Sequence, residues 1–222
     1  MGRWSAILFQ DRRDAGQRLV PLLKDLGLRD PIVYGLLRGG AAVAAPVAEG
    51  LGAPLMPFLV RKLGVPWHPE LAFGALAEGA AEPVLNPEII AACGLTGEQV
   101  ATVRVREEQE LRRRQALYLA GLQRPDPRGR SAILVDDGLA TGASARAALR
   151  SLRLQGAGPL VLAVPVAPQD SIAALQGECD RIVCAEVQDI PFGIGGCYAD
   201  FHQLEDAEVL ALLRAAPGKE PP

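Results

Sequence analysis

The chain has 222 residues, is 49% hydrophobic and 22% charged, and carries a formal net charge of −3. That length can bury a proper core in one large domain, and that composition excludes global disorder. A sequence pI near 5.5 gives no basic coat for nucleic acid and no positive face for an anionic membrane.

Trp4 to Phe9 is a short apolar run ahead of Asp11, Arg12 and Arg13, too brief for a secretory signal. Asp14 to Leu26 has helical spacing, and Pro31 to Gly35 reads as a buried strand. Gly40 to Leu51 returns to helix, and Leu55 to Val60 is a second apolar run. The most apolar stretch, Leu36 to Val60, is broken by Arg38, Glu49 and three prolines, so it does not span a membrane. From about Ala72 to Leu122 the pattern changes to a strand or hairpin around Phe73 to Leu85 and then a long helix capped by Thr96. Glu108 with Arg112, and Glu110 with Arg114, stand four apart with the acid first, which suits a solvated helix face. Residues 72–122 are therefore expected as an insertion over or beside the sheet.

Strand and helix then alternate again: Ser131 to Val135, Ser144 to Leu154, Pro159 to Val166, Gln169 to Gln176 and Arg181 to Ala185. Continuous rather than alternating apolarity marks strands buried on both faces. The expected fold is α/β, an open, mostly parallel sheet flanked by helices, all in one domain. Residues 186–214 are expected as a small hood and 215–222 as a frayed tail. Ligands of such sheets bind where the strands end. Cys93, Cys179, Cys184 and Cys197 form no CxxC pair, so free thiols in a cytoplasmic protein are expected rather than a zinc site.

The informative string is Ile133-Leu134-Val135-Asp136-Asp137-Gly138-Leu139-Ala140-Thr141-Gly142-Ala143-Ser144. A buried strand ends in two carboxylates, a loop of small residues follows, and a helix begins near Ser144. The first turn of a helix has unpaired N–H groups and partial positive charge, and small residues let it approach a phosphate. Thr141 and Ser144 add hydroxyl donors. The carboxylates would repel that phosphate, so they suit sugar hydroxyls or a metal. A phosphate one sugar-length from a pair of hydroxyls describes a ribose 5-phosphate. The string has neither the Gly-Lys-Ser/Thr of a P-loop nor the glycine pattern of a dinucleotide-binding turn.

This string resembles the PRPP-binding motif of the type I phosphoribosyltransferases, and residues from about Ile32 to Ala185 match that family's layout. The resemblance implies that Asp136 and Asp137 hold the ribose 2′- and 3′-hydroxyls. It implies that Ala140, Thr141, Gly142, Ala143 and Ser144 hold the 5-phosphate. Leu37-Arg38-Gly39-Gly40 is similar to the family's pyrophosphate loop, often built on a strained peptide, with Arg38, Gly39 and Gly40 as PRPP contacts. Arg61 and Lys62 end the second apolar run; two cations there suit the pyrophosphate leaving group. The Gly/Pro-rich continuation to Glu70 resembles the family's flexible closing loop. Glu70 to Gly79 is similar to segments of a less studied bacterial branch.

The implied activity is transfer of a 5-phosphoribosyl group from PRPP to a nitrogenous base or other amine, with Mg²⁺ and release of pyrophosphate, as in nucleotide salvage. Some purine-specific members place an acid where this chain has Ala140, which weighs against hypoxanthine or guanine. Phe192, Tyr198 and Phe201, near glycines, are the candidates for stacking on the acceptor base. His202 shows no partner in sequence. Family members are commonly homodimers. Two other classes stay open: a non-catalytic PRPP or nucleotide sensor, and a hydrolase of a phosphorylated sugar.

Overall fold

A strand with no polar face must be covered on both sides, and that condition organises the molecule. The computed structural model describes residues 7–215. The expectations for Trp4 to Ala6 and for the tail beyond Ala215 lie outside the described residues. The chain begins with α1 (Arg12–Lys24), β1 (Ile32–Leu36), α2 (Gly39–Leu51), β2 (Leu55–Phe58), β3 (Val60–Val65), β4 (His68–Ala77) and β5 (Val84–Leu85). It continues with α3 (Pro87–Ala92), α4 (Gly97–Tyr118), β6 (Ala132–Val135), α5 (Ala143–Leu154) and β7 (Leu160–Ala167). The last elements are α6 (Gln169–Ala173), β8 (Arg181–Val187), a 3₁₀ turn at Ile194–Cys197 and α7 (Asp206–Ala215).

Five strands form an open sheet in the order β2-β1-β6-β7-β8, and every neighbouring pair is parallel. Every residue of β1, β2, β6 and β7 is buried, as continuous apolar runs require. Successive side chains enter different cores. Val33, Ile133 and Val161 share one with residues of α1, α2 and α7. Ile32, Tyr34, Leu134 and Leu162 share the other with residues of α5. Asp11 caps α1 by accepting from the Asp14 N–H, and Thr96 with Gln99 makes a reciprocal capping box on α4.

The departure from strand–helix alternation begins earlier than Ala72. The segment after Val60, expected as a flexible loop, is strand β3, which pairs antiparallel with β4; β5 completes a second sheet in the order β3-β4-β5. Leu63, Val65, Phe73 and Leu76 are buried there, and a loop would leave them in water. The register slips at Gly64, where a Cβ would stand 2.5 Å from the Pro69 carbonyl oxygen. Helix α4 lies against β3 and buries Val103, Glu107, Leu111 and Tyr118. Of the two expected charge pairs on α4, Glu110–Arg114 forms at 2.8 Å, and Glu108 takes Arg104 instead of Arg112.

Just past β4, Glu78 anchors the hairpin to the sheet domain. Its side chain is 1% exposed, and one oxygen accepts from Arg124 at 2.9 Å. Its carbonyl accepts from the Ser151 hydroxyl at 2.6 Å, while its second carboxyl oxygen has no hydrogen-bond partner. Burial pushes this carboxyl up to about 7 against the pull of Arg124. Unfolded, it titrates near 4.5, so in that window the folded chain binds the extra proton. The Glu78 contribution to stability therefore declines as pH rises from about 4.5 to about 7. Denaturant midpoints across this range are expected to fall more steeply for the native chain than for Glu78→Gln.

Candidate active site

In an open parallel sheet, a crevice forms where neighbouring strands send their chains in opposite directions. Here that point lies between β1 and β6. The chain leaves β1 through α2 toward β2, and leaves β6 through α5 toward β7. Helices α2 and α5 belong to the cores on opposite faces. Asp136 and Asp137 follow the last residue of β6 directly, so they stand at this crevice.

The acid pair is locally self-organised. Asp136 Oδ1 accepts from the Asp137 N–H at 2.9 Å. Burial raises both carboxyls above the ordinary aspartate range; the Asp137 charge raises Asp136 further, and Lys62 and Arg12 oppose that rise. The loop beyond is fixed by main-chain contacts. The Leu139 N–H donates to the Val166 carbonyl at 3.0 Å, and the Ser171 hydroxyl donates to the Ala140 carbonyl at 2.5 Å. Gly142 begins α5 at φ 70°, with no side-chain cap. That conformation favours glycine, and it leaves the first-turn N–H groups of α5 without a side-chain acceptor. Ala140 and Thr141 are exposed. A cleft of about 90 Å³ is lined by Lys62, Asp136, Ile194 and residues 138–145.

The Arg38–Gly40 loop comes to the same place from β1. The Leu37–Arg38 peptide is cis. A Cβ on Gly39 would fall on the Asp137 carboxylate, and one on Gly40 would lie 2.5 Å from the Val135 carbonyl oxygen. These glycines are required by contact between the two loops themselves. The Arg38 guanidinium turns away toward α7, 3.5 Å from Asp206.

The structure brings Lys62 to the acid pair and takes Arg61 elsewhere. Neighbouring strand residues face opposite ways. Lys62 lines the cleft, while Arg61 forms an ion pair with the buried Glu107 of α4, its Nε donating to Oε2 at 2.8 Å. The expectation of two cations at one site is corrected to one. The three candidate aromatics also divide. Tyr198 and Phe201 pack together with ring centroids 4.9 Å apart, and Tyr198 lies 5.3 Å from Phe9. The Tyr198 hydroxyl donates to the Asp137 carbonyl at 2.6 Å. Both rings are occupied in packing, and only Phe192 is open, at 69% exposure. His202 has two partners after all, Asp200 at 3.0 Å and Glu208 at 3.1 Å, and these hold its proton above the ordinary histidine range.

One residue of the site was missed in the sequence. Arg12 is buried, and its Nε donates to Asp137 Oδ2 at 2.9 Å while Nη1 donates to the His202 carbonyl at 3.0 Å. Its guanidinium lies 3.8 Å from the centre of the Phe201 ring. It stands 125 positions from its partner, in a run of charges that looks like an ordinary helix start, so no local pattern marks it. The Gly39 contact yields a direct test. Gly39→Ala forces the carboxylate off its arginine and is expected to cost about 1–3 kcal/mol, read as a lower urea midpoint. An unchanged midpoint would show that the two loops can separate freely.

Comparison with known proteins identifies the family of the chain. A family model described as phosphoribosyl transferase domain matches residues 15–202. The provisionally named phosphoribosyl transferase Rv0571c of Mycobacterium tuberculosis H37Rv is 43% identical over 209 residues, 94% of this chain and 47% of that protein. The chain thus spans about half the length of the curated relatives it matches. The crystal structure of TT1426 from Thermus thermophilus is 38% identical, with a TM-score of 0.80 over 95% of this chain and 99% of that one.

Proposed function

The chain belongs to the phosphoribosyl transferase family, and we propose that it moves the 5-phosphoribosyl group of PRPP to a nitrogenous base or other amine, releasing pyrophosphate. The observation that carries this reading is the placing of two adjacent carboxylates at the crevice between β1 and β6, next to an uncapped helix start. Carboxylates accept from sugar hydroxyls, and the first-turn N–H groups of α5 donate to phosphate oxygens. Asp136 and Asp137 hold the ribose hydroxyls; the loop from Ala140 to Ser144, with the Thr141 and Ser144 hydroxyls, holds the 5-phosphate.

The leaving group then lies toward the Arg38–Gly40 loop and Lys62. Close contact between the two loops leaves main-chain amides, not the Arg38 guanidinium, to face it, and Lys62 supplies the positive charge. The bond from C1 to the pyrophosphate oxygen breaks, and a bond from C1 to the acceptor nitrogen forms. Positive charge gathers on the ribose ring as the leaving group departs. Lys62 stabilises the negative charge collecting on pyrophosphate. Among the described residues no group of three or more His, Cys, Asp or Glu side chains converges on a point. Mg²⁺, which prefers phosphate oxygens and water over a protein cage, would be held through PRPP at this site and would neutralise charge on the leaving group.

The acceptor comes from the side bounded by Ile194 and the exposed Phe192, since Tyr198 and Phe201 are engaged below. Residues 186–214 form the hood on this reading, and the four free cysteines suit a reducing cytoplasm. No helix among the described residues is long and apolar enough to cross a membrane.

Asp136→Asn keeps the oxygen that accepts from the Asp137 N–H and removes the charge. A charge-assisted hydrogen bond contributes about 1.5–3 kcal/mol, so PRPP binding by calorimetry is expected to weaken roughly ten- to a hundredfold. Native-like PRPP binding by this variant would refute the assignment of the acids. A screen of acceptor bases with radiolabelled PRPP and Mg²⁺ tests the reaction itself. Pyrophosphate release only when an acceptor is present supports transfer. Release without any acceptor supports a hydrolase, and binding without release supports a sensor.

A further inference from the structure

Two adjacent carboxylates at a buried strand end repel each other and are poorly hydrated, yet hydroxyl recognition needs them ionised and fixed. We infer that Arg12 is the positioning residue of the pair. It holds Asp137 in one orientation, leaving Oδ1 for a ribose hydroxyl, and it is itself set by the C-terminal stretch. The inference rests on the functional reading above and deepens it.

Three observations carry it. Arg12 occupies Asp137 Oδ2 at 2.9 Å, with both side chains largely buried at 10% and 14% exposure, where an ion pair is little screened. Arg12 also donates to the His202 carbonyl at 3.0 Å and stacks on Phe201 at 3.8 Å, so its own position is determined from the C-terminal side. The Tyr198 hydroxyl donates to the Asp137 carbonyl at 2.6 Å. The same stretch thereby fixes the main chain of Asp137 directly and its side chain through Arg12. A planar guanidinium donates in two fixed directions within its plane while its flat face lies on a ring; an ammonium has neither that fork nor that face.

Charge completes the case. Asp137 meets Asp136 beside it, Arg12 from α1 and the Tyr198 hydroxyl from the C-terminal stretch. Lys62 acts on Asp136 from β3. Asp200, His202 and Glu208 line a common cleft with Arg12, and its charge reaches both acids. Arg12 is the cation that lowers Asp137 against burial. Without it, the pair takes up a proton at higher pH, and a protonated carboxyl is a poor acceptor for a sugar hydroxyl.

The test is calorimetric titration of the full chain with PRPP and Mg²⁺ from about pH 5 to pH 9, for the native chain, Arg12→Gln and Arg12→Lys, with thermal unfolding of each. In Arg12→Gln the pH below which binding is lost should rise by about one to three units, the shift that an adjacent opposite charge produces. Arg12→Lys should restore that limb toward the native pH while binding more weakly throughout. Native binding with an unchanged Arg12→Gln profile would overturn the assignment of Arg12 alone. A loss equal at every pH, paralleled by a lower melting temperature, would reduce Arg12 to a structural residue and also overturn it. No PRPP binding by the native chain at any pH would overturn the functional reading and this inference together.

Discussion

Keeping two neighbouring carboxylates charged at the end of a fully buried strand is the constraint around which the rest is arranged. Burial raises both groups, and the charge on Asp137 raises Asp136 further, so the fold must supply compensation from outside the β6 loop. It does so from two directions, Arg12 from the N-terminal helix and Lys62 from the hairpin, while the Tyr198 hydroxyl, from beyond β8, fixes the Asp137 main chain. The fourth neighbour, the Gly39–Gly40 turn, contributes by having no side chains at all. A loop that merely needed to turn a corner would tolerate alanine there; this one lies directly against the acids.

The sheet was legible because its strands obey one simple rule. Four are unbroken buried apolar runs, and β8, at the edge, keeps an apolar centre from Ile182 to Ala185 between Arg181 and Glu186. The acid string was legible for a related reason: strand end, carboxylates, small residues and helix start are consecutive, so one window holds the chemistry. The hairpin was harder. Arg61 to Glu70 combines cations, prolines and glycine, which reads as loop, and its strand character depends on Leu63 and Val65 finding Phe73 and Leu76 across an antiparallel pairing. Strand alternation makes Arg61 and Lys62 face opposite ways, and the packing of α4 on β3 decides which of them is left to the site.

Contacts between remote positions were not legible. Arg12 and Asp137 are 125 residues apart, and Arg61 meets Glu107 across 46. Nothing in a single sequence couples such positions. The aromatics of the C-terminal stretch show the same limit from the other side. Their residue types suit stacking on a base, but Tyr198 and Phe201 stack on each other, and Phe201 also on Arg12. Residue type states what a ring can do; only the packing states what it is already doing.

The seam between the two ends of the chain carries a further consequence. Main-chain bonds tie Leu8 and Phe9 to Cys197, and tie Ala199 and Asp200 back to Phe9 and Gln10. Every strand of the parallel sheet is complete once Val187 has been made. The ring and the carbonyl that set Arg12 belong to Phe201 and His202, which come after the last strand of that sheet. An interruption of the chain between Val187 and Phe201 would therefore keep every strand of the sheet and lose both partners that set the arginine.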